Sequence, residues 1–157
     1  TIAIEDKDFF KHGGFDVRGI MRAGVNNVIG TSGGQQGGST ITQQVVKNTL
    51  LTQDKSPIRK LKEWILSEKL EKIMTKDEIF NLYLNEISYG GTSYGVEEAS
   101  ESYFGVSASD VSIAQAAYLA SMPQAPSHYS PYGKNKADLP TKSRSVVRMF
   151  EKWKAGA

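Results

Sequence analysis

Gly37-Gly38-Ser39-Thr40-Ile41-Thr42-Gln43-Gln44-Val45-Val46-Lys47-Asn48 runs a glycine pair straight into the start of an amphipathic helix. The glycines let the backbone turn where a side chain would clash. Thr40 and Gln43 have capping-box spacing, which ties down two of the N–H groups that the first turn cannot satisfy internally. The helix then sets Thr40, Gln44 and Lys47 at i, i+4 and i+7, a polar face ~10 Å long at ~1.5 Å rise per residue. Ile41, Val45 and Val46 take the opposite side. The remaining N–H groups, the positive end of the helix dipole and the Lys47 ammonium together favour a phosphate or pyrophosphate. On spacing alone, a well-capped surface helix is slightly the better reading.

Upstream, Glu5, Asp6 and Asp8 form an acidic cluster followed by Phe9, Phe10 and Phe15. A carboxylate in such aromatic, water-poor surroundings, or beside a like charge, has its pKa raised toward the range useful for taking a proton. Carboxylates are mostly exposed, so a solvated turn with a packed His12 is the bland alternative. The preceding Ile2-Ala3-Ile4 reads as a buried strand or the end of a helix. Two lone residues such as His12 and Asp16 do not make a metal ligand set. Downstream, Ser56-Pro57 is an N-cap with proline at the first helical position, opening a helix to about Met74 whose buried face should be Leu61, Ile65, Leu66, Leu70 and Ile73. Arg59 and Glu63 fall at i and i+4 on it, the spacing of a routine surface ion pair.

These stretches carry a resemblance. Glu5-Asp6-Lys7-Asp8-Phe9-Phe10-Lys11-His12-Gly13-Gly14-Phe15-Asp16, then Gly37 to Asn48, then Arg59-Lys60-Leu61-Lys62-Glu63, then Tyr83-Leu84-Asn85-Glu86-Ile87 are similar, in order, to the motifs of the peptidoglycan glycosyltransferase family. That family is the transglycosylase module of class A penicillin-binding proteins and of monofunctional cell-wall glycosyltransferases. The similarity continues through Tyr94-Gly95-Val96-Glu97, Tyr103-Phe104-Gly105 and Met122-Pro123-Gln124-Ala125-Pro126. Ser88 departs from it where the family usually carries an aromatic residue, as does the Gly- and Gln-rich run from Gly30 to Gln36. The resemblance implies a mainly α, lysozyme-like domain that polymerises lipid II into glycan strands at the outer face of the cytoplasmic membrane, by inverting transfer with release of undecaprenyl pyrophosphate. It makes Glu5 the general base and Glu63 the second carboxylate, orienting the cations or a metal ion. Lys47, Arg59 and Lys60 would stabilise the pyrophosphate. Asp6, Phe9, His12, Ser39, Thr40, Gln43, Gln44 and Asn48 would serve substrate binding, and Asn85 the structure. A divalent cation, Mg or Mn, is implied by the resemblance alone.

Length and composition agree. At 157 residues the chain reads as one domain, able to bury about two-thirds of its unfolded surface. With 19 basic and 17 acidic residues it has no general attraction to nucleic acid. The absence of cysteine excludes disulfides and thiolate metal sites. No apolar run is long enough to span a bilayer and no signal peptide is present. Because Glu5 lies so close to the first residue, the chain, residues 1–157, reads as one domain of a longer protein; the resemblance implies a membrane anchor upstream of it and allows a transpeptidase domain after it. It contains no Ser-x-x-Lys, the motif of penicillin-binding serine chemistry.

Between the motifs, Asp16 can cap a helix from Val17 to about Ile29, and the run from Gly30 to Gln36 should be mobile and able to close over a bound chain. Ile20, Met21, Val25, Val28 and Ile29, with Arg18 and Arg22, make that helix the expected membrane contact. Thr75 and Glu78 form another capping box ahead of a helix through Ile79, Leu82 and Tyr83. Gly90-Gly91-Thr92-Ser93 breaks the chain before a helix ending near Gly105. Ser107 to Asp110 should cap the next, which runs to Met122. Val146, Phe150 and Trp153 mark a closing amphipathic helix. Two other functions use part of this pattern. A lysozyme-type glycoside hydrolase also needs paired carboxylates but has little use for a cationic helix start. A catalytically silent glycan-binding module would not need Glu5, Glu63 and Lys47 together, and all three are present.

Overall fold

The computed structural model describes residues 1–17, 38–51, 56–129 and 138–156. The expected helix after Asp16 and the Gly30 to Gln36 run lie outside the described residues, Val17 apart, as does the Trp153 side chain. Among the described residues the fold is mainly α, with no strand and a single antiparallel bridge between Ser88 and Tyr94. The contacts divide the chain into two compact units.

The first unit comprises Thr1–Lys7 and Leu82–Ala157. Its opening apolar run is helical, α1 (Ile2–Glu5), and Ile4 packs with Ala117, Ala120 and Val146. Ala117 and Ala120 belong to α6 (Ile113–Ser121) and Val146 to the long α8 (Leu139–Ala155), so small side chains on α6 let α8 lie close. Phe150 was expected on the buried side of α8 but is 48% exposed. Ahead of α6, α5 (Val96–Phe104) ends in a left-handed Gly105, and α7 (Pro126–Tyr129) is one turn. The cap of α6 also differs from expectation. Ser107 opens only a 3-10 turn, Ala108–Asp110, whereas Ser112 and Gln115 form the capping box that starts α6. A box satisfies two orphan donors at once, which explains why the later serine sets the helix start.

The second unit is Asp8–Asn81. Its core is α2 (Ile41–Thr49) packed on α3 (Pro57–Ile73). Ile41, Val45 and Val46 on α2 are buried, worth about 1.5–3 kcal/mol each. The cap of α2 is the one expected, with the Thr40 N–H 3.1 Å from Gln43 Oε1 and the Gln43 N–H 3.1 Å from Thr40 Oγ1. Ser56 Oγ caps α3 by accepting the Arg59 N–H at 3.1 Å. The buried face of α3 is only in part the apolar one that periodicity selects, since of the five expected residues Leu66 and Leu70 are half-buried. Leu61, Ile65 and Ile73 are exposed, and Glu63 and Ser67 are buried. Burying these two polar side chains is stable because both have partners: Glu63 holds two cations, and Ser67 Oγ donates to the Glu63 carbonyl at 2.7 Å.

The turn after the first motif lies directly on this face. The Gly14 N–H donates to Glu68 Oε1 at 3.0 Å, and Thr40 Oγ1 donates to the Gly14 carbonyl at 2.9 Å. A Cβ at Gly14 would stand 2.5 Å from the Ser67 carbonyl carbon, so only glycine permits the approach. From α3 the chain enters α4 (Lys76–Glu86) through the expected Thr75 and Glu78 box. Hydrogen bonds from the Thr75 backbone and hydroxyl hold the Glu78 carboxyl below its ordinary pKa. This cap therefore supports the helix above the carboxylate range and fades as pH falls through it.

Candidate active site

The sequence places its site residues in both units. In the first, Glu5 ends α1, half-buried, and Asp6 beside it is buried. Two tyrosines of the same unit lie close to this carboxylate. Tyr83 on α4 and Tyr89 are each 1% exposed. Burial pushes both phenols above their ordinary range, and the negative charge of Glu5 raises them further. Both therefore stay protonated at neutral pH, close enough to feel the carboxylate. Tyr89 is held in turn by the glycine break that follows it: its N–H donates to the Ser93 carbonyl at 2.9 Å, and Tyr103 Oη donates to the Tyr89 carbonyl at 2.7 Å. Tyr83 belongs to a motif legible in the sequence. Tyr89 had no signal there, because its burial depends on the turn at Gly90 and Gly91, both at positive φ.

In the second unit, the start of α2 and the first turns of α3 bring four site residues together. Lys60 Nζ donates to Ser39 Oγ at 3.0 Å and pairs closely with Glu63 Oε1, while Arg59 Nη1 lies 3.5 Å from Glu63 Oε2. Glu63 is 1% exposed and Arg59 18%, so this is no surface ion pair. A buried carboxylate clasped by two cations is a fixed part of the structure, because removing it leaves two cations without a counterion. With one anion against Arg59 and Lys60 the cluster is net positive. Two further donors, Gln43 Nε2 and Arg59 Nε, are buried without a hydrogen-bond partner. Unsatisfied buried donors are unfavourable on their own and fit an anionic acceptor.

The other residues take varied places. Lys47, half-buried, sits in the last turn of α2, roughly 10 Å along the axis from Thr40, with Cβ directed back toward the helix start. Gln44 is half-buried and Asn48 exposed. Thr40 and Gln43 are buried and spend their oxygens on the cap. Phe9 is completely buried, against Phe10, His12 and Phe80, so it packs the first motif rather than meeting solvent. The His12 Nδ1 lies 2.6 Å from the Gly13 carbonyl oxygen, which places the ring proton on that nitrogen. Among the described residues no three of His, Asp and Glu are grouped to hold a metal ion. Glu63, the carboxylate that the resemblance offers to one, is committed to Arg59 and Lys60, so the described residues do not fit a divalent cation site.

Comparison with known proteins agrees with this arrangement of motifs. The family model for transglycosylases matches residues 1–151. Penicillin-binding protein 1A of Rickettsia conorii is 44% identical over 155 residues, 96% of this chain and 19% of its own length. The protein of the same name from Clostridium botulinum is 46% identical over 134 residues, covering 83% and 16%. That from Neisseria gonorrhoeae is 47% identical over 131 residues, covering 83% and 16%. The chain thus spans less than a fifth of the length of these curated relatives. With almost its whole length matched, and with the capped helix start and the Arg59, Lys60 and Glu63 cluster in place, the chain belongs to the transglycosylase family.

Proposed function

We propose that the chain is a peptidoglycan glycosyltransferase domain that polymerises lipid II into glycan strands. The observation that carries the reading is the net-positive cluster at the start of α2, with its two unsatisfied buried donors, Gln43 Nε2 and Arg59 Nε. A leaving diphosphate supplies the acceptor oxygens and negative charge that these groups need. Glu5 takes the proton from the acceptor's sugar hydroxyl. The freed oxygen attacks the anomeric carbon of the donor as the bond from that carbon to the diphosphate oxygen breaks, inverting the centre. Lys47, Arg59 and Lys60 stabilise the charge that passes to the leaving undecaprenyl pyrophosphate. Since diphosphate is already a good leaving group, a strong general acid is not required. Tyr83 and Tyr89, protonated beside Glu5, keep its surroundings polar but dry. The test against a glycoside hydrolase is to incubate the purified protein separately with lipid II and with finished peptidoglycan. Glycan polymer from the first and no cleavage of the second is expected; the reverse would make it a hydrolase, and neither product would favour the silent binding module.

Acting on a substrate with a long polyprenyl tail requires the domain to reach the bilayer surface, in keeping with a place on the extracytoplasmic face of the cell membrane. No helix of the described residues is long and apolar enough to cross a membrane. The helix expected to touch lipid, after Asp16, lies outside the described residues. The exposed face of α3 supports a surface contact instead: Ile58, Leu61 and Ile65 are 69%, 55% and 49% exposed at i, i+3 and i+7, beside the stacked Phe15 and Trp64. Exposed Lys62 and Lys69 lie on the same helix, able to meet anionic headgroups. The protein is expected to co-sediment with anionic vesicles, and Leu61→Asp with Ile65→Asp to release it while its helical circular dichroism is unchanged. Undiminished sedimentation of the double variant would remove α3 from the contact.

A further inference from the structure

One polar network in the second unit lies outside the cluster just described and connects two of its motifs. Thr42, completely buried on α2, donates its hydroxyl to Glu71 Oε1 on α3. The same oxygen accepts from Lys76 Nζ at 2.7 Å, at the start of α4. Lys76 Nζ also stands 4.3 Å from the centroid of the Phe9 ring. Glu71 and Lys76 are only 12% and 20% exposed in their side chains, so the pair is partly desolvated and stronger than a surface bridge. Phe9 in turn packs edge-on against His12, with ring centroids 6.5 Å apart. One ammonium therefore touches both the carboxylate that pins α2 and the ring that seats the first motif.

We propose that Lys76 and Glu71 are positioning residues, which fix α2, with its anion-binding start and Lys47, relative to the Phe9 and His12 segment. The inference rests on the functional reading above. Its physical basis is that neither contact alone has one geometry: an ion pair can rotate, and an ammonium can slide over a ring. Shared by one Nζ, the two contacts leave the lysine a single position, and Thr42 transmits that position to α2 through a hydroxyl with no alternative solvent partner. Shifting a substrate-positioning helix by a fraction of an ångström lowers turnover well before it unfolds a domain.

The test measures steady-state polymerisation of lipid II, with kcat and KM for donor, and thermal melting, in wild type, Lys76→Met, Lys76→Arg and Thr42→Val. Lys76→Met and the near-isosteric Thr42→Val are each expected to lower kcat on the order of 10-fold. Lys76→Arg, which keeps the charge for both Glu71 and Phe9, should return most of it. Combining Thr42→Val with Lys47→Ala separates positioning from simple stabilisation. If Thr42 acts through the placement of Lys47, the pair should cost clearly less than the product of the single losses, whereas a loss of general stability would multiply through. Multiplicative losses, or near wild-type kcat in both Lys76→Met and Thr42→Val, would overturn the proposal. Should Lys76→Met fail to fold, Thr42→Val and the double variant still decide it. Wild-type protein that made no polymer would instead overturn the functional reading on which it stands.

Discussion

Glu5→Gln is expected to abolish polymer formation, by at least ~10²-fold, while leaving the melting temperature where it was. Glutamine keeps the shape of the side chain and its ability to accept a hydrogen bond but cannot take a proton at neutral pH. Glu5 is half-buried at the end of α1 and sits in the field of two protonated phenols, Tyr83 and Tyr89. Neutralising it removes a negative charge beside them, while the amide keeps the volume that the side chain fills. Stability should therefore barely respond, and a circular dichroism melt run beside the polymerisation assay checks both halves. Near-normal turnover in Glu5→Gln would mean that another group takes the acceptor's proton.

Glu63→Ala should behave in the opposite way, losing stability together with activity. Its carboxylate is 1% exposed and holds Arg59 and Lys60. Alanine would leave two cations facing each other with no counterion, and breaking a buried pair by removing one partner costs about 3–5 kcal/mol. Lys60 is 38% exposed and can turn toward solvent, which argues for the lower end, about 3 kcal/mol. In a chain of this size that is a fall of roughly 10 °C in melting temperature. Glu63→Gln, which keeps the volume and the acceptor oxygen, should lose less stability than alanine. Arg59→Met, added to Glu63→Ala, should recover part of the loss by removing one stranded charge. A Glu63→Ala melt indistinguishable from wild type would show that the cluster is solvated and that its carboxylate is not structural.

Much of this architecture was legible because caps and proline write their own positions. Thr40 with Gln43, Ser56 before Pro57, and Thr75 with Glu78 each predict a helix start from side chains that satisfy particular N–H groups, and each start is where it was expected. Ser107 misled for the same reason, since Ser112 with Gln115 three residues later offers the fuller cap. The face of α3 was legible only in part by periodicity. Hydrophobic spacing assumes that apolar residues turn inward, but here the inward side is Glu63, Ser67 and Glu71, made tolerable by Arg59, Lys60, Thr42 and Lys76. Two of those four partners, Thr42 and Lys76, fall outside the i, i+3 and i, i+4 spacings and lie on other helices. The fold position of Glu68 was likewise hidden, because its partner is the backbone of Gly14, 54 residues away. The candidate site itself was visible mainly as a set of motifs. What the sequence could not convey was which members are packing: Phe9 and the Thr40 and Gln43 pair are buried in the scaffold, whereas Lys60 and Ser39 are directly bonded.

Transfer of a sugar from a lipid diphosphate, as against cleavage of a finished glycan, is tested most directly by counting lipid diphosphate released per glycosidic bond formed from lipid II, with Glu5→Gln in parallel. One diphosphate for each new bond in the wild type, and neither in the variant, is the predicted result. New bonds without matching diphosphate, or equal release by wild type and Glu5→Gln, would contradict it.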